Sequence, residues 1–285
     1  MNTPNQQEKA RSTRAYEAGA RVTRERMRRE APLDAAALEQ IEASDIVVVK
    51  GIYDHVELVL DALGLPYLAI EAADFGRVSL SPDQLLVINC PGQLGERAIP
   101  RVRTFVEMGG SLFTTDWALK HVLEPAFPGL VAYNNRPTTD DVVRLEVCSK
   151  DNPFLAGVLQ EGDDPVWWLE ASSYPIRILN PARVQVLLKS GELKAKYGEE
   201  PVALTFAHGR GEVFHLISHY YLQRTELRSA RHHLGAEAYA AAKGVPMSRD
   251  LAEKMEGLCY GDVEAAESST RLFANIAARK KGQSG

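Results

Sequence analysis

Cys90, Asp116 and His219 each follow a short apolar run, the position at which a strand would hand its last residue to a loop. A thiol, a carboxylate and an imidazole are the groups of nucleophilic and acid–base chemistry. Cys90 needs a base or a cation to form its thiolate, and His219 would serve if the two strand ends meet. Pro91 follows Cys90 directly, so residue 91 has no N–H to offer an oxyanion. That favours a structural thiol at Cys90. Asp116 has three readings: general base, metal ligand or helix N-cap. The cap asks only that its carboxylate accept free N–H groups of a following turn, and it is the preferred one.

The elements that would position these residues follow from periodicity. Residues 85–88 (LLVI) form a buried strand, broken by Asn89-Cys90-Pro91-Gly92. Residues 100–108 have helical spacing and stop at Gly109-Gly110, and residues 111–115 (SLFTT) are the next strand. Upstream, residues 45–49 are a strand with exit loop Gly51-Ile52-Tyr53-Asp54, residues 55–63 an amphipathic helix, and residues 67–70 a second strand. Strand, helix, strand at this spacing is a right-handed parallel crossover. In such sheets ligands sit at the carboxyl ends of strands. Beyond Trp117, strand candidates at residues 142–147, 166–169, 175–179, 184–188, 201–206 and 212–217 have links too short for crossover helices, so several pair antiparallel. Gly209-Arg210-Gly211 reads as a hairpin turn. Residues 222–243, 248–258 and 263–281 read as helices, with Ser248 as a cap.

The balance of the chain excludes several classes. A net charge of -5 argues against a general nucleic-acid binder. Cys90, Cys148 and Cys259 are scattered, with no CxxC pair, so neither a disulfide framework nor a structural zinc is indicated, and a reducing, cytoplasmic setting is expected. No apolar run approaches the ~18 residues of a membrane span, and there is no signal peptide. GxGxxG, GxxxxGK[ST] and GxSxG are absent, and His208, His215, His232 and His233 have no ligand spacing. No cofactor and no metal are therefore expected. His232-His233 reads as exposed surface. Trp167-Trp168 reads as half core and half rim, one of the two lining a groove. Residues 1–31 are rich in Arg and Lys and poor in large aliphatics, which reads as a solvated extension. The alternative is an arm that docks on a partner or on nucleic acid.

The order of LLVINCPG, FVEMGGSLFTTD, DNPFLAGV and PVALTFAHGRGEVFHLISH resembles the class I glutamine amidotransferase-like superfamily, specifically branches that keep the flavodoxin-like sheet and lose the chemistry. The resemblance covers about residues 45–223. It implies an α/β fold: a mostly parallel sheet flanked by helices, with an antiparallel extension and a C-terminal helical segment. It divides the chain into a charged extension (1–31), an α/β domain (32–223) and a helical segment (224–285). In true amidotransferases a cysteine at a sharp strand-to-helix elbow pairs with a histidine after the last strand. Here FTT runs into Asp116-Trp117-Ala118, and His219-Tyr220-Tyr221 stands where His-Pro-Glu is usual. Glutaminase activity is therefore not expected. The rim pocket would comprise Tyr53, Asp54, Cys90, Gly92, Asp116, Trp117, His219, Tyr220, Gln223 and Glu226. Three functions follow as expectations: a non-catalytic binding or scaffolding protein that docks a protein partner through its terminal helices; a small-molecule hydrolase using Asp116 and His219 with Cys90; or a structural subunit of a homo-oligomer.

Overall fold

The computed structural model describes residues 4–149, 151–220 and 225–283. The chain opens with two helices, α1 (Pro4–Glu30) and α2 (Pro32–Glu39), and then alternates strands and helices. Strand β1 (Ile46–Val49) is followed by α3 (Val56–Leu63) and β2 (Leu68–Ile70), and β3 (Leu85–Ile88) by α4 (Ile99–Glu107) and β4 (Ser111–Thr115). Strands β1, β3 and β4 are buried at every position, which is why they read as unbroken apolar runs. Past β4 a π-helical turn (Leu119–Leu123) enters α5 (Glu124–Ala126). The second half holds β5 (Val131–Tyr133), β6 (Asp141–Arg144), β7 (Glu146–Val147), β8 (Val166–Leu169), β9 (Ile176–Ile178), β10 (Gln185–Lys189), α6 (Gly191–Tyr197), β11 (Pro201–His208) and β12 (Gly211–Leu216). Helices α7 (Ala236–Ala242), α8 (Arg249–Met255) and α9 (Tyr260–Gln283) close the chain.

Eight strands form one sheet in the order β2-β1-β3-β4-β12-β11-β10-β7. The first five are parallel and the last three pairings antiparallel. This is the flavodoxin-like sheet with an antiparallel extension, as expected from the sequence. From β1 the chain steps to one side and from β3 to the other; right-handed crossovers in opposite directions put α3 and α4 on opposite faces. The order reverses between β1 and β3, a topological switch point. The expected hairpin at Gly209–Gly211 joins β11 to β12, which then pairs in parallel with β4 and brings the segment after residue 216 beside the end of β4. Strands β5 with β9, and β6 with β8, form two small antiparallel sheets apart from the main one. The stretch holding β5 reads in sequence as turns only, because three residues among prolines and glycines carry no period.

The basic N-terminal segment is not solvated. Ala15, Tyr16, Ala18, Ala20, Val22, Thr23, Arg26 and Met27 of α1 are buried, and α1 packs along α9. Alanines and Gly19 let the two helices approach closely, and Tyr16, Val22 and Met27 are the few large apolar side chains that α1 buries. A Cβ on Gly19 would lie 2.9 Å from the Glu267 backbone nitrogen. Arg26 is fully buried with its guanidinium 2.9 Å from Glu267, which is equally buried. Helix α9 is buried over almost its whole length, with Phe273 edge-on to Phe113 of β4. Lys280 donates to the carbonyls of Pro82 and Gly109, and Lys281 pairs with Asp45, which fixes the helix end under the sheet. His232 is likewise buried, against the Asp164 carbonyl and Glu264, whereas His233 is exposed. Both Trp167 and Trp168 are buried, their indoles donating to Ser268 and Asp140, so neither lines a groove. The single helix read over residues 222–243 is, within the described residues, a 3₁₀ turn (Arg231–His233) and α7. Ser248 caps α8 by accepting from the Leu251 N–H. Among the described residues no helix is long and apolar enough to cross a membrane.

Candidate functional site

Strands β3, β4 and β12 are neighbours, so the residues that follow them meet at one edge of the sheet. Cys90 leaves β3 through Asn89, its N–H donating to Thr115 Oγ1, and its carbonyl accepts from Ile52 and Tyr53 of the loop after β1. The Cys90–Pro91 peptide is cis. Asp116 continues β4, donating its N–H to the Leu216 carbonyl of β12, and then turns with φ 41°. A non-glycine residue there costs on the order of 1–3 kcal/mol. Asp116 thus stands on a sharp turn between β4 and the helix that follows. Gly92 makes room for the turn: at φ 72°, a Cβ would come within 2.9 Å of Ala118.

The three side chains converge. His219 Nε2 lies 3.2 Å from Asp116 Oδ2, and Cys90 Sγ 4.0 Å from the same oxygen. One ligand-type atom from each residue lies within 4.8 Å of the others, and all three residues are buried. His219 Nδ1 is 2.7 Å from Glu170 Oε2, just past β8. These are charge contacts: among the described residues neither ring N–H is aimed squarely at its carboxylate. The Asp116 carboxylate does not cap the helix after it. It accepts the Tyr174 N–H at 2.7 Å through Oδ1 and the Ser173 hydroxyl at 3.1 Å through Oδ2, both from the loop after β8. The preferred cap reading therefore fails. The helix that follows starts three residues later, as a π turn, and the carboxylate is taken instead by donors from the loop after β8.

The electrostatics follow from burial and proximity. Burial pushes the Asp116 carboxyl up, against the pull of His219, the Tyr174 N–H and the Ser173 hydroxyl. Burial would push His219 down, but Asp116, Cys90 and Glu170 carry it well above the usual histidine range. Burial also raises the Cys90 thiol despite His219, so Cys90 is not a preformed thiolate. His215, within β12, is driven down to about 3 by complete burial and stays neutral, its Nδ1 2.9 Å from Thr114 Oγ1.

A run of aromatic rings lies beside the cluster. Tyr133 stacks on Tyr174 at 3.9 Å, Tyr174 on Trp117 at 5.3 Å, and Trp117 meets Tyr53 edge-on at 5.2 Å. Trp117 Nε1 donates to the Ser172 carbonyl at 2.7 Å. Asp54, expected on the rim, is buried. Its Oδ1 accepts from the N–H groups of His55 and Tyr220, tying the exit of β1 to the segment after His219. Tyr220 is not a rim residue. Its ring is fully buried against Phe113 and Phe273. The carboxylate of Glu226 meets Arg228, which holds Glu192. Tyr221, Gln223 and Arg224 lie outside the described residues.

Nothing in the sequence singles out Glu170, Ser173 and Tyr174. They are ordinary loop residues after Trp167-Trp168-Leu169, and their one signal is a position past a strand end. The absence of metal-ligand spacing also reflects separation along the chain, because the fold gathers Cys90, Asp116 and His219 from three strands.

No protein-family model and no curated protein matches this sequence. Solved structures do. A GMP synthase-type protein from Thermoplasma acidophilum aligns at 14% identity and TM-score 0.46, over 84% of this chain and 96% of its own. A cytoplasmic protein from Salmonella typhimurium aligns at 13% identity and TM-score 0.44, over 74% and 96%. A β-galactosidase from Rahnella sp. R3 aligns at 14% identity and TM-score 0.43, over 62% of this chain, which spans 29% of that enzyme. Likeness at this level carries no statement about chemistry, which rests on the geometry above.

Proposed function

We propose that this chain is a small-molecule hydrolase whose acid–base pair is Asp116 and His219, with Cys90 flanking them. The carrying observation is the backbone of Asp116: a carboxylate held at φ 41° on the turn between β4 and its helix, 3.2 Å from His219. Strain of this kind persists where surrounding structure over-determines it, and it clusters at working sites. The roles follow from position. Asp116, locked by Ser173 and Tyr174, is the fixed charge that orients the imidazole. His219, held as the imidazolium by its carboxylate neighbours, gives a proton to the leaving group, and the proton lost by the attacking water returns to the ring through Glu170. Glu170, about one-third exposed, links the second ring nitrogen to solvent. The aromatic rings from Tyr133 to Tyr53 offer a flat apolar wall for a substrate. Glutamine is not the expected substrate, because the turn presents carboxylate where that chemistry needs sulfur, and burial keeps the Cys90 thiol protonated.

The test is a panel of carboxylic esters, amides and phosphate monoesters assayed with the wild type, Asp116→Asn and His219→Gln. Turnover of one class, reduced by about 10²–10⁴-fold in both variants with circular dichroism unchanged, is the expected result. Activity that survives His219→Gln would sink the assignment.

A second reading keeps the scaffold expectation. The Asp116 carboxylate is saturated by Tyr174, Ser173 and His219, an arrangement that also serves to strap the loop after β8 to the sheet. On that reading no panel member turns over, and Asp116→Asn lowers the melting temperature without any catalytic effect.

A further inference from the structure

We propose that Cys90 Sγ, Asp116 Oδ2 and His219 Nε2 together bind a zinc-class divalent transition-metal ion. The proposal shares with the hydrolase reading only the premise that this cluster is the working site; it does not require hydrolysis. Four observations converge on it. The donors are a thiol, a carboxylate and an imidazole, a set that suits zinc, cobalt and their neighbours and not magnesium or calcium, which take oxygen. The spacing is close to that of a bound site. Bonds of about 2.0–2.3 Å in a tetrahedron place ligand atoms about 3.2–3.8 Å apart. Here the carboxylate–imidazole distance of 3.2 Å falls in that range, and the thiol, 4.0 Å from the carboxylate with all three atoms within 4.8 Å, has a short approach to make.

The third observation is His219 itself. Its side chain is 3% exposed, yet among the described residues neither ring nitrogen makes an aligned hydrogen bond. A metal at Nε2 would replace the poorly aligned contact with Asp116 by a direct bond from the deprotonated ring. The fourth is Glu170, at 2.7 Å from Nδ1. A carboxylate this close to the far nitrogen favours, by its charge, a proton on Nδ1, which leaves Nε2 to the metal. The rigid turn at Asp116 and the Ser173 and Tyr174 bonds hold the carboxylate in place in the same way.

Binding is a proton-for-metal exchange with no redox step. The thiol proton of Cys90 and the Nε2 proton of the imidazolium leave to solvent, and three metal–ligand bonds form. Thiolate and carboxylate balance the dication, and three protein ligands leave a fourth position for water or substrate.

The experiment is cobalt(II) titration of the full-length protein after chelator treatment, followed by absorption spectroscopy, with zinc content measured separately by mass spectrometry. The expected result is one equivalent per chain, the intense visible bands of tetrahedral cobalt and a thiolate-to-cobalt charge-transfer band. Cys90→Ser is expected to lose that band, and Glu170→Gln to weaken binding by about 10–100-fold. Absence of tetrahedral bands at equimolar cobalt in the wild type would overturn the proposal, as would a charge-transfer band that survives in Cys90→Ser. The wild-type spectrum and the Glu170→Gln affinity decide the matter even where Cys90→Ser fails to fold. Hydrolysis that persists in metal-free protein with no cobalt binding removes this inference and leaves the hydrolase reading intact. Stoichiometric metal with no turnover does the reverse.

Discussion

At the scale of single residues, the turn after β4 concentrates the constraints. Asp116 takes a backbone conformation that glycine would adopt without strain, and Gly92 supplies the space the turn needs. Gly92→Ala combines a left-handed φ of 72° with a Cβ 2.9 Å from Ala118. The expected cost is about 1–3 kcal/mol, read as a lower urea midpoint with unchanged slope. A neutral result would mean that the loop after Cys90 yields freely and does not fix the thiol. Asp116 also shows how a sequence reading fails locally. A carboxylate at the start of a helix looks the same whether its partners are the next turn or a loop 58 residues away.

Among elements, α9 carries the densest set of buried charges. Arg26 of α1 and Glu267 of α9 are both fully buried and 2.9 Å apart, and Tyr239 Oη donates to the same carboxylate. Removing one member strands the other, so Arg26→Ala is expected to cost about 3–5 kcal/mol. The double replacement Arg26→Met with Glu267→Leu is expected to cost much less. A thermodynamic cycle with both single replacements measures the difference, and a double loss equal to the sum of the single losses would show that the pair is not coupled. Glu264, on the same helix, has its carboxyl raised by burial to about 7, although Arg231 lies 2.6 Å away. A folded-state value above the ordinary 4.5 means that the native state holds the proton more tightly. That contribution is fully present below pH ~4.5 and is lost as pH rises through about 7. Between those limits wild-type stability is expected to fall relative to Glu264→Gln, by on the order of 1–3 kcal/mol. Parallel stability–pH curves for the two proteins would refute it.

Across the whole molecule, the terminal helices form part of the core packing. Helix α9 lies between α1 and the sheet, and its end is pinned to the loops before β3 and β4 by Lys280. A partner that docks through the terminal helices, or a homo-oligomer built on α9, would have to use what α1 and the body leave uncovered. We propose that residues 4–283 unfold as one cooperative unit. Thermal unfolding is expected to show coincident transitions by near- and far-ultraviolet circular dichroism. A chain lacking α9 is expected to lose the near-ultraviolet signal. A truncated chain that keeps it would establish the C-terminal segment as separable.

Several features are legible in the residues alone. LLVI and SLFTT announce buried parallel strands because both faces are covered, Gly209-Arg210-Gly211 announces the hairpin, and the strand ends at Cys90, Asp116 and His219 follow from topology. The sequence by itself thus determined the sheet and the edge at which a site would lie. Tertiary structure alone decided what stands against those three groups. Glu170, Ser173 and Tyr174 come from a loop with no period, and the burial of α1 rests on alanines and Gly19, whose small size leaves no amphipathic stripe of large aliphatics to read. Periodicity reports which face of an element is covered. It does not report which distant side chain turns toward a carboxylate, because that is settled by packing across the chain.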